Sequence, residues 1–294
     1  MPASPRPHPI GFIGIGIMGR SMAGHLLAAG HPLHVHSRTK SKADDLVAAG
    51  AVWHETPAGV ARAAPVVVTM LGMPEDVEQV YLGPGGLVAE SARGSLLVDM
   101  TTSSPRLAAR IAAAAVARGM HAIDAPVSGG DVGARNAALV IMAGGDADAF
   151  EQARPLFGLL GKSATRLGPA GAGQRCKLAN QVAVAVGMVA WCEALAHARA
   201  GGLDPAAVQH VIAGGAAGSW ALTNLAPRAL AGDFAPGFMV LHLVKDVRIA
   251  LDEARAAGQR LPGLETAANL YEALARAGFE GAGTQALMTM YEPA

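Results

Sequence analysis

Short apolar, β-branched runs recur through the first half of the chain at Ile10–Ile13, Leu33–Val35, Val66–Thr69, Leu96–Val98 and Leu139–Met142. Each is bounded by turn-forming residues, as a strand buried on both faces would be. Between them, apolar residues fall at helical spacing over Arg20–Ala29, Ser41–Ala49, Glu75–Tyr81, Pro105–Arg118 and Asp146–Leu160. Two of these helices carry evident start signals. Ser104 precedes Pro105, a cap followed by proline at the first helical position, and Asp146 can cap the helix after Gly144-Gly145. Strands that alternate with helices predict a doubly wound α/β fold on a mostly parallel sheet.

The second half loses the strand signal. One helical pattern runs from Gln174 to Ala200, interrupted only by Gly187. Gly201-Gly202 ends it, Asp204-Pro205 starts the next, and further helical stretches cover Leu241–Ala257 and Thr266–Ala277. The glycine-rich Gly168-Pro-Ala-Gly-Ala-Gly173 marks the expected boundary between an α/β domain at 10–170 and an all-helical domain at 171–294. The proline-rich start, residues 1–9, lacks an apolar core of signal-peptide length and reads as a flexible extension. The most apolar stretch, Val182–Cys192, falls short of the roughly 20 residues that span a bilayer and reads as the buried middle of a helix.

Composition narrows the function classes. Of 294 residues 51% are hydrophobic and only 16% charged, enough for a substantial core in two domains. Net charge is zero, so neither nucleic acid nor a membrane surface is an expected partner. Cys176 and Cys192 lie on one helical pattern, too far apart to bridge, which predicts reduced thiols and a cytoplasmic setting. No Cys/His cluster has ligand spacing, so no metal is expected.

The strand at Ile10–Ile13 runs into Gly14-Ile-Gly16-Ile-Met-Gly19 and then a helix. Strand, glycine turn and helix in that order form the phosphate-binding unit of dinucleotide sites. Gly14 permits the turn, Gly16 lets backbone approach a pyrophosphate, and Gly19 brings helix close to strand. The unpaired N–H groups at the helix start, through Ile17 and Met18, favour phosphate. Alone, the same glycines would make a tight turn with no ligand. About 20 residues on, where an acid would accept from the ribose of NAD, the chain reads Ser37-Arg38-Thr39. A cation flanked by hydroxyls suits a 2′-phosphate, so NADP(H) is preferred and NAD(H) stays possible. As a plain surface cation, Arg38 would leave that choice open.

Three further segments carry candidate chemistry. Asp99-Met-Thr-Thr-Ser-Ser104 is a hydroxyl-rich turn after a strand, the edge of an open sheet where ligands bind. A capping turn accounts for Ser104 but leaves Thr101 and Thr102 unused. Ser128-Gly129-Gly130 can offer a hydroxyl and bare N–H groups to a carboxylate, or be an ordinary glycine loop. Lys177, Asn180 and Gln181 share one helix face. A lysine and two amides beside long apolar stretches are costly to bury, and burial lowers a lysine toward a working proton donor and acceptor. The same lysine could instead snorkel to solvent at a helix start.

Together, Gly11–Gly19, Val98-Asp-Met-Thr-Thr102, Asp124-Ala-Pro-Val-Ser-Gly-Gly130 and Gly173-Gln-Arg-Cys-Lys-Leu-Ala-Asn-Gln181 resemble the β-hydroxyacid dehydrogenase family, over nearly the whole chain. That family includes 3-hydroxyisobutyrate dehydrogenases and tartronate semialdehyde (2-hydroxy-3-oxopropionate) reductases. The resemblance implies a Rossmann-type NAD(P)-binding domain, a long interdomain helix and a helical domain that forms homodimers or homotetramers. It makes Lys177 the catalytic residue. Ser128, Gly129, Gly130, Asn180, Gln181 and Trp220 become substrate contacts. Gly14, Gly16, Ile17, Met18, Gly19, Ser37, Arg38, Thr39, Met70, Leu71, Thr102 and Lys245 become cofactor contacts. The Asn180-Gln181 pair and Gly215–Trp220 look closer to the reductases. Imine reductases share the fold but generally lack the lysine. One departure stands out: Ala137-Ala138-Leu139 occupies the place where the family usually has Gly-Thr-Leu.

Overall fold

The computed structural model describes residues 7–291. It comprises two compact units, one running to Lys177 and the other beginning at Leu178. Of the expected N-terminal extension, residues 1–6 lie outside the described residues. His8 is already engaged: its ring meets His31 edge-on at 5.1 Å, and its carbonyl lies 3.0 Å from His31 Nδ1.

The first unit runs β1 (Ile10–Ile13), α1 (Ile17–Ala28), β2 (Leu33–His36), α2 (Asp44–Ala48), β3 (Val52–Trp53), α3 (Pro57–Ala63), β4 (Val66–Thr69), α4 (Pro74–Leu82) and α5 (Leu87–Glu90). It continues with β5 (Leu96–Asp99), α6 (Pro105–Ala117), β6 (His121–Asp124), β7 (Val127–Ser128), α7 (Gly130–Arg135), β8 (Leu139–Gly145), α8 (Ala147–Leu160) and β9 (Gly161–Gly168), and then enters α9 (Ala172–Ala200). The sheet order is β3-β2-β1-β4-β5-β6-β8-β7, with β9 beside β8. Pairings from β3 to β6 are parallel, β8 is antiparallel to β6 and β7, and β9 is parallel to β8.

Strand periodicity divides the apolar side chains between two faces. Phe12, Val35, Val68 and Val98 pack with Met22, Leu26 and Phe157 on one side. Ile13, Val67 and Leu97 pack with Val60, Val77, Leu107 and Ile111 on the other. Each such side chain contributes about 1.5–3 kcal/mol by leaving water. All five expected strands form. The polar strands were not foreseen: β6 begins with a histidine and ends with an aspartate, and β9 is a mostly exposed edge strand rich in Lys162, Ser163, Thr165 and Arg166.

The second unit comprises the remainder of α9, then α10 (Pro205–Ala213), α11 (Trp220–Asn224), α12 (Ala226–Leu230), α13 (Val240–Ala256) and α14 (Pro262–Leu274), with short irregular helical turns after it. Asp204 caps α10 by accepting from Ala206 N–H, as its position before proline suggests. Met188, Trp191, Leu195, Leu243, Val247, Leu264 and Tyr271 form the core. Among the described residues only α9 is long and apolar enough to cross a membrane. Its polar residues Gln174, Lys177 and Gln181 are nevertheless buried, and its apolar side chains enter a protein core. These are features of a core helix.

Candidate functional site

The carboxyl ends of β1, β2, β4, β5 and β6 gather most of the expected residues of the first unit along one sheet edge. At β1, Gly14 has φ +103°, and a Cβ there would lie 2.2 Å from the Met70 carbonyl oxygen. A Cβ on Gly19 would lie 2.0 Å from the Gly14 carbonyl oxygen. The fold itself therefore demands glycine at both positions. Gly16 differs: its φ is −90°, and nothing lies within 4 Å of a Cβ there. The first turn of α1 has no side-chain cap and no acid, and Ile17 is 49% exposed. An open approach over an uncapped helix start fits a dinucleotide pyrophosphate.

Backbone hydrogen bonds lace the neighbouring loops together. Gly14 N–H donates to His36 O at 3.0 Å, Met70 N–H to Ile13 O at 2.9 Å, and Met100 N–H to Thr69 O at 2.9 Å. Met70, Leu71 and Thr102 are half-buried along this edge. Beyond β2, Ser37 is half-buried while Arg38 and Thr39 are exposed. Arg38 reaches Asp76 of α4 at 3.0 Å, with its side chain 82% exposed. Local sequence gave no sign of that partner.

The hydroxyl-rich turn after β5 divides by role. Thr101 is buried and its hydroxyl accepts from Leu71 N–H at 2.9 Å, so it ties the loops after β4 and β5 together, a structural use that the sequence did not show. Its own N–H donates to Asp99 Oδ1 at 3.1 Å, which also accepts from the Thr69 hydroxyl at 2.8 Å. Thr102 stays half-buried. At the end of β6, Asp124 is 4% exposed and accepts from Gly171 N–H at 2.7 Å and Gln174 N–H at 2.9 Å. Burial, helped by the Asp99 charge, pushes its carboxyl up to about 7 against the pull of those two N–H donors. The Gln174 side chain accepts from Ser103 N–H and donates to Thr101 O, both at 2.8 Å. Neither residue stands out in the sequence by itself. An amide one turn before the lysine was the available signal.

Ser128 ends β7 half-buried, followed by Gly129 at φ +131° and Gly130 at φ +60°. Gly130 opens α7, a helical turn where only a loop was expected, and successive glycines leave the backbone N–H groups there unshielded by side chains. At the far end of α7, Ala137 has φ +50°, the single non-glycine with positive φ among the described residues. Lys177, one helical turn past Gln174, is 7% exposed.

In the second unit Asn180 donates to Gln181 Oε1 at 2.8 Å, and Gln181 donates to Asp246 Oδ2 at 2.6 Å. The Lys245 ammonium lies 3.0 Å from Asp246 Oδ1. Gln181 is 2% exposed with both ends of its amide bonded, so it sits as a bridge between Asn180 and Asp246. Asp246, absent from the expected residues, is the acid that compensates the buried Lys245. Trp220 opens α11 and is 61% exposed.

Comparison with known proteins matches residues 9–168 to the NAD binding domain of 6-phosphogluconate dehydrogenase. Residues 171–291 match the domain described as NAD-binding of NADP-dependent 3-hydroxyisobutyrate dehydrogenase. The oxidoreductase YkwC of Bacillus subtilis is 50% identical over 282 residues, covering 96% of this chain and 98% of its own. The 2-hydroxy-3-oxopropionate reductase of Escherichia coli is 41% identical over 269 residues, covering 92% of each. A solved structure of Mycobacterium tuberculosis 3-hydroxyisobutyrate dehydrogenase with L-serine superposes with a TM-score of 0.88 at 31% identity, over 97% of this chain and 99% of that one.

Proposed function

The chain belongs to the β-hydroxyacid dehydrogenase family, and from that premise we propose that it reduces 2-hydroxy-3-oxopropionate to its hydroxy acid with NADPH, the reverse oxidation using NADP. The observation that carries this reading is Lys177: a lysine only 7% exposed, one turn from a helix start tied to the loops after β5 and β6. A nicotinamide cofactor, held with its pyrophosphate at Gly14–Gly19, would when bound supply or accept the hydride. In reduction, Lys177 Nζ gives a proton to the substrate carbonyl oxygen, and in oxidation it takes that proton from the hydroxyl. Asn180, one turn along the same helix, orients the oxygen, with Gln181 and Asp246 holding its amide. The Ser128 hydroxyl and the N–H groups of Gly129 and Gly130 hold the substrate carboxylate, fixing the distance to the reacting carbon. Trp220 limits the acyl end, and Thr102 and Lys245 serve the cofactor. Arg38 with Ser37 and Thr39 supports the preference for NADP(H), as does the match to the NADP-dependent domain.

3-Hydroxyisobutyrate is the second substrate, favoured by the likeness to the mycobacterial enzyme. Steady-state rates with both acids, each against NADP(H) and NAD(H), test substrate and cofactor together. We expect the highest kcat/KM for 2-hydroxy-3-oxopropionate with NADPH, and loss of turnover in Lys177→Ala with NADPH binding kept. Wild-type turnover in that variant refutes the lysine assignment. NADPH binding without turnover of either acid refutes the substrate class. The family resemblance also leads us to propose a homodimer or homotetramer, which light scattering would test.

A further inference from the structure

We propose that Asp124 and Gln174 are positioning residues for Lys177, fixing the height and rotation of the first turn of α9; the proposal rests on the reading of Lys177 as the proton carrier. A helix start leaves four N–H groups needing partners, and water or a local serine commonly supplies them. Here the partner is a carboxylate from another element. Asp124, at the carboxyl end of β6, takes Gly171 N–H on one oxygen and Gln174 N–H on the other. Gln174 then closes the arrangement from the helix side. Its amide accepts from Ser103 N–H and donates to Thr101 O, engaging the backbone of the loop after β5 at two points. Gln174 has no exposed surface and Asp124 has 4%.

Two glycines make this close seating possible. A Cβ on Gly144 of β8 would lie 2.6 Å from Gly173 N and 2.7 Å from Asp124 Oδ1. A Cβ on Gly173 would lie 2.4 Å from Met142 O and 2.6 Å from Asp124 O. The first turn of α9 is therefore pressed against β6 and β8 with no room for a side chain on either side. Stability alone does not call for a carboxylate here, because burial pushes Asp124 up to about 7 and so disfavours its charged form. Position does call for it. Lys177 follows Gln174 by one turn, about 4.5 Å along the axis on the same face. A slip of that turn by one hydrogen bond, or a rotation of about 10°, would move a lysine ammonium by roughly 1 Å or more. Misplacement on that scale costs on the order of 100-fold in rate.

The test is a double-mutant cycle on the full chain. Gln174→Met keeps the side-chain length and removes its hydrogen bonds. We expect kcat to fall on the order of 100-fold while the NADPH Kd stays within about twofold of wild type. In a Lys177→Ala background the same change should have no further effect on residual turnover. A folded Gln174→Met enzyme with wild-type kcat overturns the proposal. So does one that slows Lys177→Ala by the same factor as it slows wild type, since Gln174 would then act independently of the lysine. If Gln174→Met fails to fold, Asp124→Asn enters the same cycle with the same two outcomes. Wild-type turnover by Lys177→Ala alone would instead overturn the underlying reading of the lysine, a result visible before the second substitution is made.

Discussion

The glycine turn after β1 separates two demands that its motif runs together. At Gly14, alanine would meet the Met70 carbonyl oxygen at 2.2 Å in a backbone with φ +103°. The left-handed conformation alone costs an alanine about 1–2 kcal/mol, and the obstacle is a backbone oxygen that cannot swing away. We expect Gly14→Ala to lose about 3 kcal/mol or more, a fall in Tm of roughly 6–12 °C for a chain of this size. At Gly16 the backbone suits any residue and the space beyond is open. Alanine there is a poorer cap than glycine but restricts the unfolded chain, two effects of about 0.5–1 kcal/mol with opposite sign, so Tm should barely move. The new methyl instead stands where a pyrophosphate must approach backbone N–H groups. Losing one charge-assisted hydrogen bond of about 1.5–3 kcal/mol raises the NADPH Kd by roughly 10- to 150-fold. Thermal melts paired with NADPH fluorescence titrations measure both quantities. A Gly16→Ala protein with unchanged NADPH affinity, or one as unstable as Gly14→Ala, would refute the reasoning.

Two other substitutions probe the edges of the site. Arg38→Ala removes a cation whose side chain is 82% exposed and whose pair with Asp76 contributes about 0–1 kcal/mol to stability; NADPH should bind about 10-fold more weakly, with Tm and NADH binding unchanged, and equal effects on the two cofactors would remove Arg38 from the 2′-phosphate. For Asp124 the sign follows from burial, which raises the carboxyl from 3.8 to about 7. The native state then holds the proton more tightly than the unfolded chain, so this contribution is present below about pH 4 and is lost as pH rises through 7. Denaturant melts at pH 5 and pH 8 should show wild type losing about 2–3 kcal/mol more than Asp124→Asn across that interval, and parallel losses would contradict the shift.

What could be read from the chain follows the range of the interactions. The glycine turn, the parallel strands and the caps at Ser104, Asp146 and Asp204 depend on residues a few positions apart, and each appears as a local pattern. β6 and β9 escaped because polar residues interrupt any apolar run, and pairing with β5 and β8 decides their conformation. Thr101 escaped for a related reason. A hydroxyl at the carboxyl end of a strand looks functional until Leu71, thirty positions away, is seen to use it. Asp124 and Gln174 are fifty positions apart, Gln181 and Asp246 sixty-five, and no periodicity links either pair. Lys177 was singled out by the company it keeps on its own helix, and its burial accords with that; the groups that hold the helix were not legible.

The alanine at position 137 carries a consequence of its own. With φ at +50°, it occupies a conformation that glycine enters freely and that costs an alanine about 1 kcal/mol. It closes the short helix that begins beside Ser128. The chain thus tolerates a small standing strain next to the Ser128-Gly129-Gly130 segment proposed to hold the substrate carboxylate. Glycine at that position would relieve the strain but also loosen the unfolded chain by a similar amount. The methyl group is therefore nearly neutral for stability overall, and its effect falls on how stiffly the neighbouring turn is held.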